Sequence, residues 1–236
     1  MHLSPRPIFA ACAALVMAAS AGPALAAGGP AASHRAVRAG SSSWSVVPSP
    51  NPSGHRNGLA GVSCVSASAC TAVGSFTHTG VKRLIESWNG TSWSVVPPGN
   101  KGHGGFLNGV SCVSASACTA VGLSGRALVE SWNGTRWSIV PSPKVSGVLD
   151  GVWCVSATAC TAVGWTLSSA GENTLIESWN GTAWSVVPSP FKGMGGFLSG
   201  VSCVPGGGCT AAGNYAKTVN GIEGQRTLVE SDSAGS

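Results

Sequence analysis

Apolar and polar positions along this chain alternate in short runs, and the runs are strand-like. Each spans four to six residues rich in Val, Ile, Leu, Trp and Cys and is bounded by Gly, Pro, Asn or Ser. None carries a helical period, so the pattern predicts β-strands throughout. The stretch 109–140 sets the pattern for the rest. It reads GVSCVSASACTAVG, a short loop, then LVESWNGTRWSIV, and close copies of these parts fill most of the chain.

Four strands are predicted per repeat. The first covers 59–64, with copies at 107–112, 149–154 and 198–203. The second covers 70–74, with copies at 118–122, 160–164 and 209–213. The third is 84–88 and its copies, and the fourth is a Trp-Ser-Val/Ile-Val strand beginning at Trp44, Trp93, Trp137 or Trp184. The Trp spacings of 49, 44 and 47 residues fall in the range of stacked or radial repeats. Between the third and fourth strands lies Asn-Gly-Thr-x, a strong hairpin signal because both central residues tolerate positive φ. Asn89, Asn133 and Asn180 also make Asn-x-Thr glycosylation sequons, although the turn alone explains them.

The copies are out of phase. Trp44 opens a fourth strand before any first strand, and the last third strand, at 228–232, has none after it. Pairing the two ends removes an open sheet edge. The predicted fold is therefore all-β, a four-bladed β-propeller closed by N-terminal strand 42–48, which completes the last blade. A larger ring built from two chains and a stacked solenoid are the alternatives.

Composition adds the compartment. Arg6, the apolar run 8–19 and Ala24-Leu25-Ala26 have the form of a secretory signal over 1–26. Residues 27–41 read as a flexible linker and 42–236 as one repeat domain. No later segment is long and apolar enough to span a bilayer. Loss of the signal removes Cys12 and leaves eight of the nine cysteines, an even number suited to disulfides in an exported chain. They fall as one Cys-x5-Cys per repeat: Cys64-Cys70, Cys112-Cys118, Cys154-Cys160 and Cys203-Cys209. Each pair flanks a five-residue turn, so each bond is expected to clamp its own hairpin. Zinc fits less well, because the spacing is long and no His recurs beside it. No metal and no cofactor is expected.

The repeat resembles secreted bacterial β-propeller repeats that are distantly Asp-box or sialidase-like. The resemblance covers 42–231 and is carried by Val62-Ser63-Cys64 with Cys70-Thr71-Ala72-Val73-Gly74 and the turn ending in Trp. The turn departs from an Asp-box: 87–93 is one residue shorter and has Asn89 in place of Asp. A sialidase would also need a Tyr nucleophile, and the single Tyr, Tyr215, lies in a variable loop. The resemblance thus implies fold and not hydrolysis.

Function is sought where the repeats differ. Both turns on one face are constant in length, so the other face gathers the variable loops, 49–58, 98–106, 142–148 and 189–197 before the first strands and 75–83, 123–127, 165–174 and 214–227 after the second. They contain nine cationic residues, Arg56, Lys82, Arg83, Lys101, Arg126, Lys144, Lys192, Lys217 and Arg226, against Glu172 and Glu223. His55, His78 and His103 lie there too. A one-sided basic face attracts anionic polymers in a salt-dependent way, and an anionic polysaccharide or cell-envelope polymer is the expected partner of a secreted, non-catalytic module. A structural or protein-interaction propeller is the alternative. Nucleic acid is disfavoured, because these loops lack interleaved aromatics.

The third repeat is the most individual. Trp153 replaces a Ser, Trp165 opens a variable loop, and Asp150 stands where other copies have Ala60, Asn108 and Ser199. With Glu172 these residues suggest a sugar site, or a glycosidase carboxylate pair. Glu86, Glu130, Glu177 and Glu230 recur once per repeat and are expected to be structural, accepting hydrogen bonds, in preference to a cation-binding ring.

Overall fold

A computed structural model describes residues 43–52, 55–99, 104–168, 171–191, 193, 195–219 and 222–232. The proposed signal 1–26, the linker 27–41, Lys101, His103 and Lys192 lie outside the described residues.

Among the described residues, fifteen strands form four antiparallel sheets. The first blade is β1 (Asn57–Ser66), β2 (Ala69–His78), β3 (Gly80–Trp88) and β4 (Trp93–Val95), paired in that order. The second is β5 (Phe106–Ser114), β6 (Ala117–Leu123), β7 (Ala127–Trp132) and β8 (Trp137–Val140). The third is β9 (Gly147–Ser156), β10 (Ala159–Ser168), β11 (Gly171–Trp179) and β12 (Trp184–Val187). The fourth has only β13 (Gly196–Cys203), β14 (Cys209–Val219) and β15 (Ile222–Ser231). The architecture is four propeller blades. Among the described residues no helix is long and apolar enough to cross a membrane.

The first strands of successive blades pack on one another at the centre. Glycine makes this approach possible. A Cβ on Gly61 would stand 2.8 Å from the Asn108 carbonyl oxygen, and one on Gly109 3.0 Å from that of Asp150. Only a residue without a side chain fits where two inner strands meet so closely.

Each junction between blades has its own core. Val73 and Ile85 meet Leu107, Val110, Leu128 and Trp137. Val121 and Val129 meet Leu149, Val152, Leu175 and Trp184. Val163 and Ile176 meet Leu198, Ala211 and Leu228. The fourth-strand Trp thus turns back onto the preceding blade, and burial of such a ring is worth about 3–5 kcal/mol against Ala. Hydroxyls cross the first two junctions. Ser63 Oγ accepts from the Cys112 amide at 3.0 Å, and Ser111 Oγ from the Cys154 amide at 3.0 Å. Trp153 has no hydroxyl to continue the series.

All four Cys-x5-Cys pairs are disulfides, each joining the facing first and second strands of one blade. Bonds of this kind persist in oxidising compartments. Replacing Cys64 and Cys70 together by Ser is expected to cost roughly 2 kcal/mol, the chain entropy of a short loop. Urea unfolding of the variant beside the native protein measures it, and an unchanged midpoint refutes it.

Two expectations change. The loops 75–83, 165–174 and 214–227 are largely strand, because β2–β3, β10–β11 and β14–β15 continue pairing as long hairpin arms. Only the second blade turns early, at 124–126. Of the expected closing strand 42–48, residues 43–48 are described and carry no strand. The fourth sheet stops at three strands, residues 43–50 carry no strand, and Val46 is exposed.

Candidate functional site

Antiparallel connection places two kinds of turn at one end of each of the first three blades. The disulfide turn and the Asn-Gly turn lie together there, tied by Trp88 Nε1 donating to the Ala67 carbonyl at 3.0 Å, and likewise Trp132 to Ala115 and Trp179 to Ala157. The Trp pairs flanking the turn face one another across the ladder, with ring centroids 5.6–5.8 Å apart. They are cross-strand packing, as expected. In the turn, Asn89 acts through its side chain: Oδ1 accepts from the amides of Thr91 and Ser92 at 2.9 Å, while Gly90 takes the positive φ.

The hairpin arms and inter-blade links occupy the opposite end. Arg56, Arg126, Lys144, Lys217 and Arg226 are exposed there and Lys82 is half-buried, with Glu172 half-buried and Glu223 exposed. Arg126 borders a hollow of about 430 Å³ with Ser124, Pro141 and Ser142, over the short β6–β7 turn.

Arg83 does not belong to this basic surface. It is buried and forms an ion pair with Glu130 of the next blade, and its Nη2 donates to the Gly99 carbonyl at 3.0 Å. The reason is strand parity. Arg83 and Ile85 share the side of β3 that meets the second blade, whereas Lys82 has the other parity.

Glu130, Glu177 and Glu230 sit at separate junctions, and Glu86 lies on the first blade. Besides Arg83, Glu130 accepts from the Gly99 amide at 2.8 Å. Burial pushes its carboxyl up, and the Arg83 charge and these hydrogen bonds oppose the rise. Glu230 accepts from Ser189 Oγ at 2.9 and 3.0 Å, and Thr174 Oγ1 donates to that Ser at 2.6 Å. Glu177 has no such donor, because Ala127 stands where Arg83 stands one blade earlier. Among the described residues neither of its oxygens, both buried, has a hydrogen-bond partner, and burial lifts the carboxyl to about 7. Glu86 is likewise buried with no partner among the described residues, and its carboxyl is raised by burial. Among the described residues no three His, Cys, Asp or Glu side chains gather as a metal site.

In the third blade the candidates divide into separate groups. Asp150, on the inner strand, accepts from Asn108 Nδ2 at 2.7 Å and from the Trp165 side chain. Burial raises its carboxyl, and these two donors pull it back down. Trp165 also stacks edge-on against Phe197, with centroids 5.5 Å apart. Trp153 is elsewhere. It pairs with Thr161, whereas Trp165 lies four residues further along β10, roughly 13 Å away. It lines a small hollow of about 150 Å³ near the Cys154 and Cys203 disulfide turns. Glu172 pairs with Leu167, about 12 Å along β10 from the level of Asp150 and two strand spacings of about 4.8 Å across. A backbone separation near 15 Å does not suit the carboxyl spacing of about 5–9.5 Å used in glycoside hydrolysis. Trp153 and Trp165 therefore do not form one sugar platform, and Asp150 and Glu172 do not form a pair. Sequence reasoning missed Asn108 as the partner of Asp150, although both occupy the same repeat position.

No protein-family model matches the chain, and no curated protein matches it. Among solved structures, "YCF48 bound to D1 peptide" is similar at 14% identity and a TM-score of 0.46. The match covers 72% of this chain and 52% of that one, so this chain spans about half the length of that neighbour.

Proposed function

We propose that this protein is an exported, non-catalytic binding module that holds an anionic cell-surface or extracellular polymer on the hairpin-arm end of its blades. One observation carries the reading: Arg56, Arg126, Lys144, Lys217 and Arg226 are exposed at that end, against Glu172 and Glu223. Like charges gathered on one surface raise the local concentration of an oppositely charged chain, and salt screens the effect. Four disulfides support an oxidising, extracellular setting. Kinship to secreted Asp-box-like propellers rests on the Cys hairpin and the turn ending in Trp, of which the hairpin is the specific part. A non-catalytic reading is supported by the distance between Asp150 and Glu172 and by the hydrogen bonds that occupy Asp150.

The test is retention on anionic and neutral polysaccharide resins across a salt gradient. Selective retention on the anionic resin is expected, lost near ~0.5 M salt, where the screening length falls below about 5 Å. Replacing Arg126, Lys144 and Lys217 together by Glu is expected to lower retention at least ~10-fold. Equal retention on both resins, or none on either, rejects the proposal.

A protein partner is the second reading, favoured by Val81, Leu167 and Ile222, which stand exposed along the hairpin arms. Partner recovery that survives the charge reversal but fails after Ile222→Asp selects this reading.

A further inference from the structure

Every junction in the chain joins an outgoing face to an incoming one. In the filled junctions the outgoing face offers a Val with a second Val or an Ile, in the first two blades a Ser hydroxyl beside the disulfide and, in the third, Thr174, while the fourth blade offers Ala212, Val229 and Ser202. The incoming face offers a Leu, a Val and a Glu. Three such junctions are filled. The first blade keeps an unused incoming face and the fourth an unused outgoing one.

Leu59 is 44% exposed, whereas its counterparts Leu107, Leu149 and Leu198 are 0–1% exposed. Val229 is 64% exposed, whereas Ile85 and Val129 are at 0–1%. Ser202 stands where Ser63 and Ser111 accept from the next blade's cysteine amide, and it is exposed. Glu86 lacks the donors that Glu130 and Glu230 have.

The third junction is also incomplete. Where the first two seat Trp137 and Trp184 and leave voids of about 120 and 60 Å³, the third has about 510 Å³ beside Val163, Ile176, Ala211 and Glu230. A fourth strand on β15 would send its Trp into that space. The sequence holds one spare strand of this type, at 44–47. It is followed by Pro48-Ser49-Pro50, as the strand at 184–187 is followed by Pro188-Ser189-Pro190.

We infer that a second copy of this chain completes both, so that two chains close head to tail into one ring. The outgoing face of each fourth blade takes the incoming face of the other chain's first blade, and the 44–47 segment of that chain adds the missing strand to β15. Two copies are favoured over closure within one chain because three junctions of like construction, passing from β1 to β13, do not bring β13 to pack on β1 as β1 packs on β5. A heterologous interface of this kind closes when its rotation permits. Thr227 of one chain and Ser49 of the other then stand at the repeat positions of Thr174 and Ser189, which serve Glu230, and supply the donors that Glu86 lacks.

Sedimentation velocity over a wide concentration range tests this. A particle of two chains is expected. Val229→Arg and Leu59→Arg each change an exposed side chain, so folding is preserved, and each alone is expected to give single chains. Mixing the two variants is expected to restore a two-chain particle at high concentration, because one of the two interfaces then carries no substitution. A single-chain particle for the native protein at every concentration overturns the inference. So does a dimer that survives either substitution, a mixture that stays as single chains, or growth into larger species.

Discussion

Arg83→Ala is expected to destabilise the protein by about 3–5 kcal/mol, the cost of removing one partner from a buried ion pair. Arg83 and Glu130 are both buried and meet across the first junction. Without the guanidinium, Glu130 keeps only the Gly99 amide, and the desolvation that already raises its carboxyl goes unopposed by charge. Lys82→Ala is the control. Its neighbouring side chain is half-buried, and a change of about 0.5 kcal/mol or less is expected. Combining Arg83→Met with Glu130→Gln should recover much of the loss, since an apolar and neutral replacement leaves no buried charge. Urea unfolding at pH 7 separates the cases. Equal midpoints for Arg83→Ala and Lys82→Ala would show that the ion pair does not hold the junction.

The second large effect depends on pH. Burial without a donor lifts Glu177 from 4.5 to about 7. Between those values the folded protein keeps a proton that the unfolded chain has released. Stability from this group is therefore full below pH 4.5, falls as pH rises and is lost above about pH 7. The shift corresponds to about 3 kcal/mol at most. Glu177→Gln should flatten the decline between pH 5 and 8 and exceed the native protein in stability at pH 8. Parallel stability curves for the two proteins would refute the assignment.

The fold was legible because each blade repeats its own local chemistry. Asn89-Gly90 marked the hairpin, Cys64 and Cys70 marked its neighbour, and the Trp88–Trp93 spacing fixed the cross-strand pair. Long-range consequences were less legible. Lys82-Arg83 looks like one patch of loop charge, yet successive strand residues face opposite ways and Arg83 was drawn to Glu130. Its parity with Ile85 was the available signal. Trp153 and Trp165 are close in sequence but separated by the hairpin they sit on, as counting back from the Cys154–Cys160 turn would have shown. The lengths of the hairpin arms were hidden because Lys217, Thr218 and Gln225 interrupt any apolar run, and only the ladder reveals pairing there.

The placement of the covalent links bears on how such a protein changes over generations. Residues 61–74 and 109–122 are identical, and the disulfide in each closes inside that segment. A duplicated or deleted repeat therefore carries its own bridge with it and strands no cysteine elsewhere. Oxidation can also proceed unit by unit, without waiting for a distant thiol, so the number of units is free to drift while the redox chemistry stays the same.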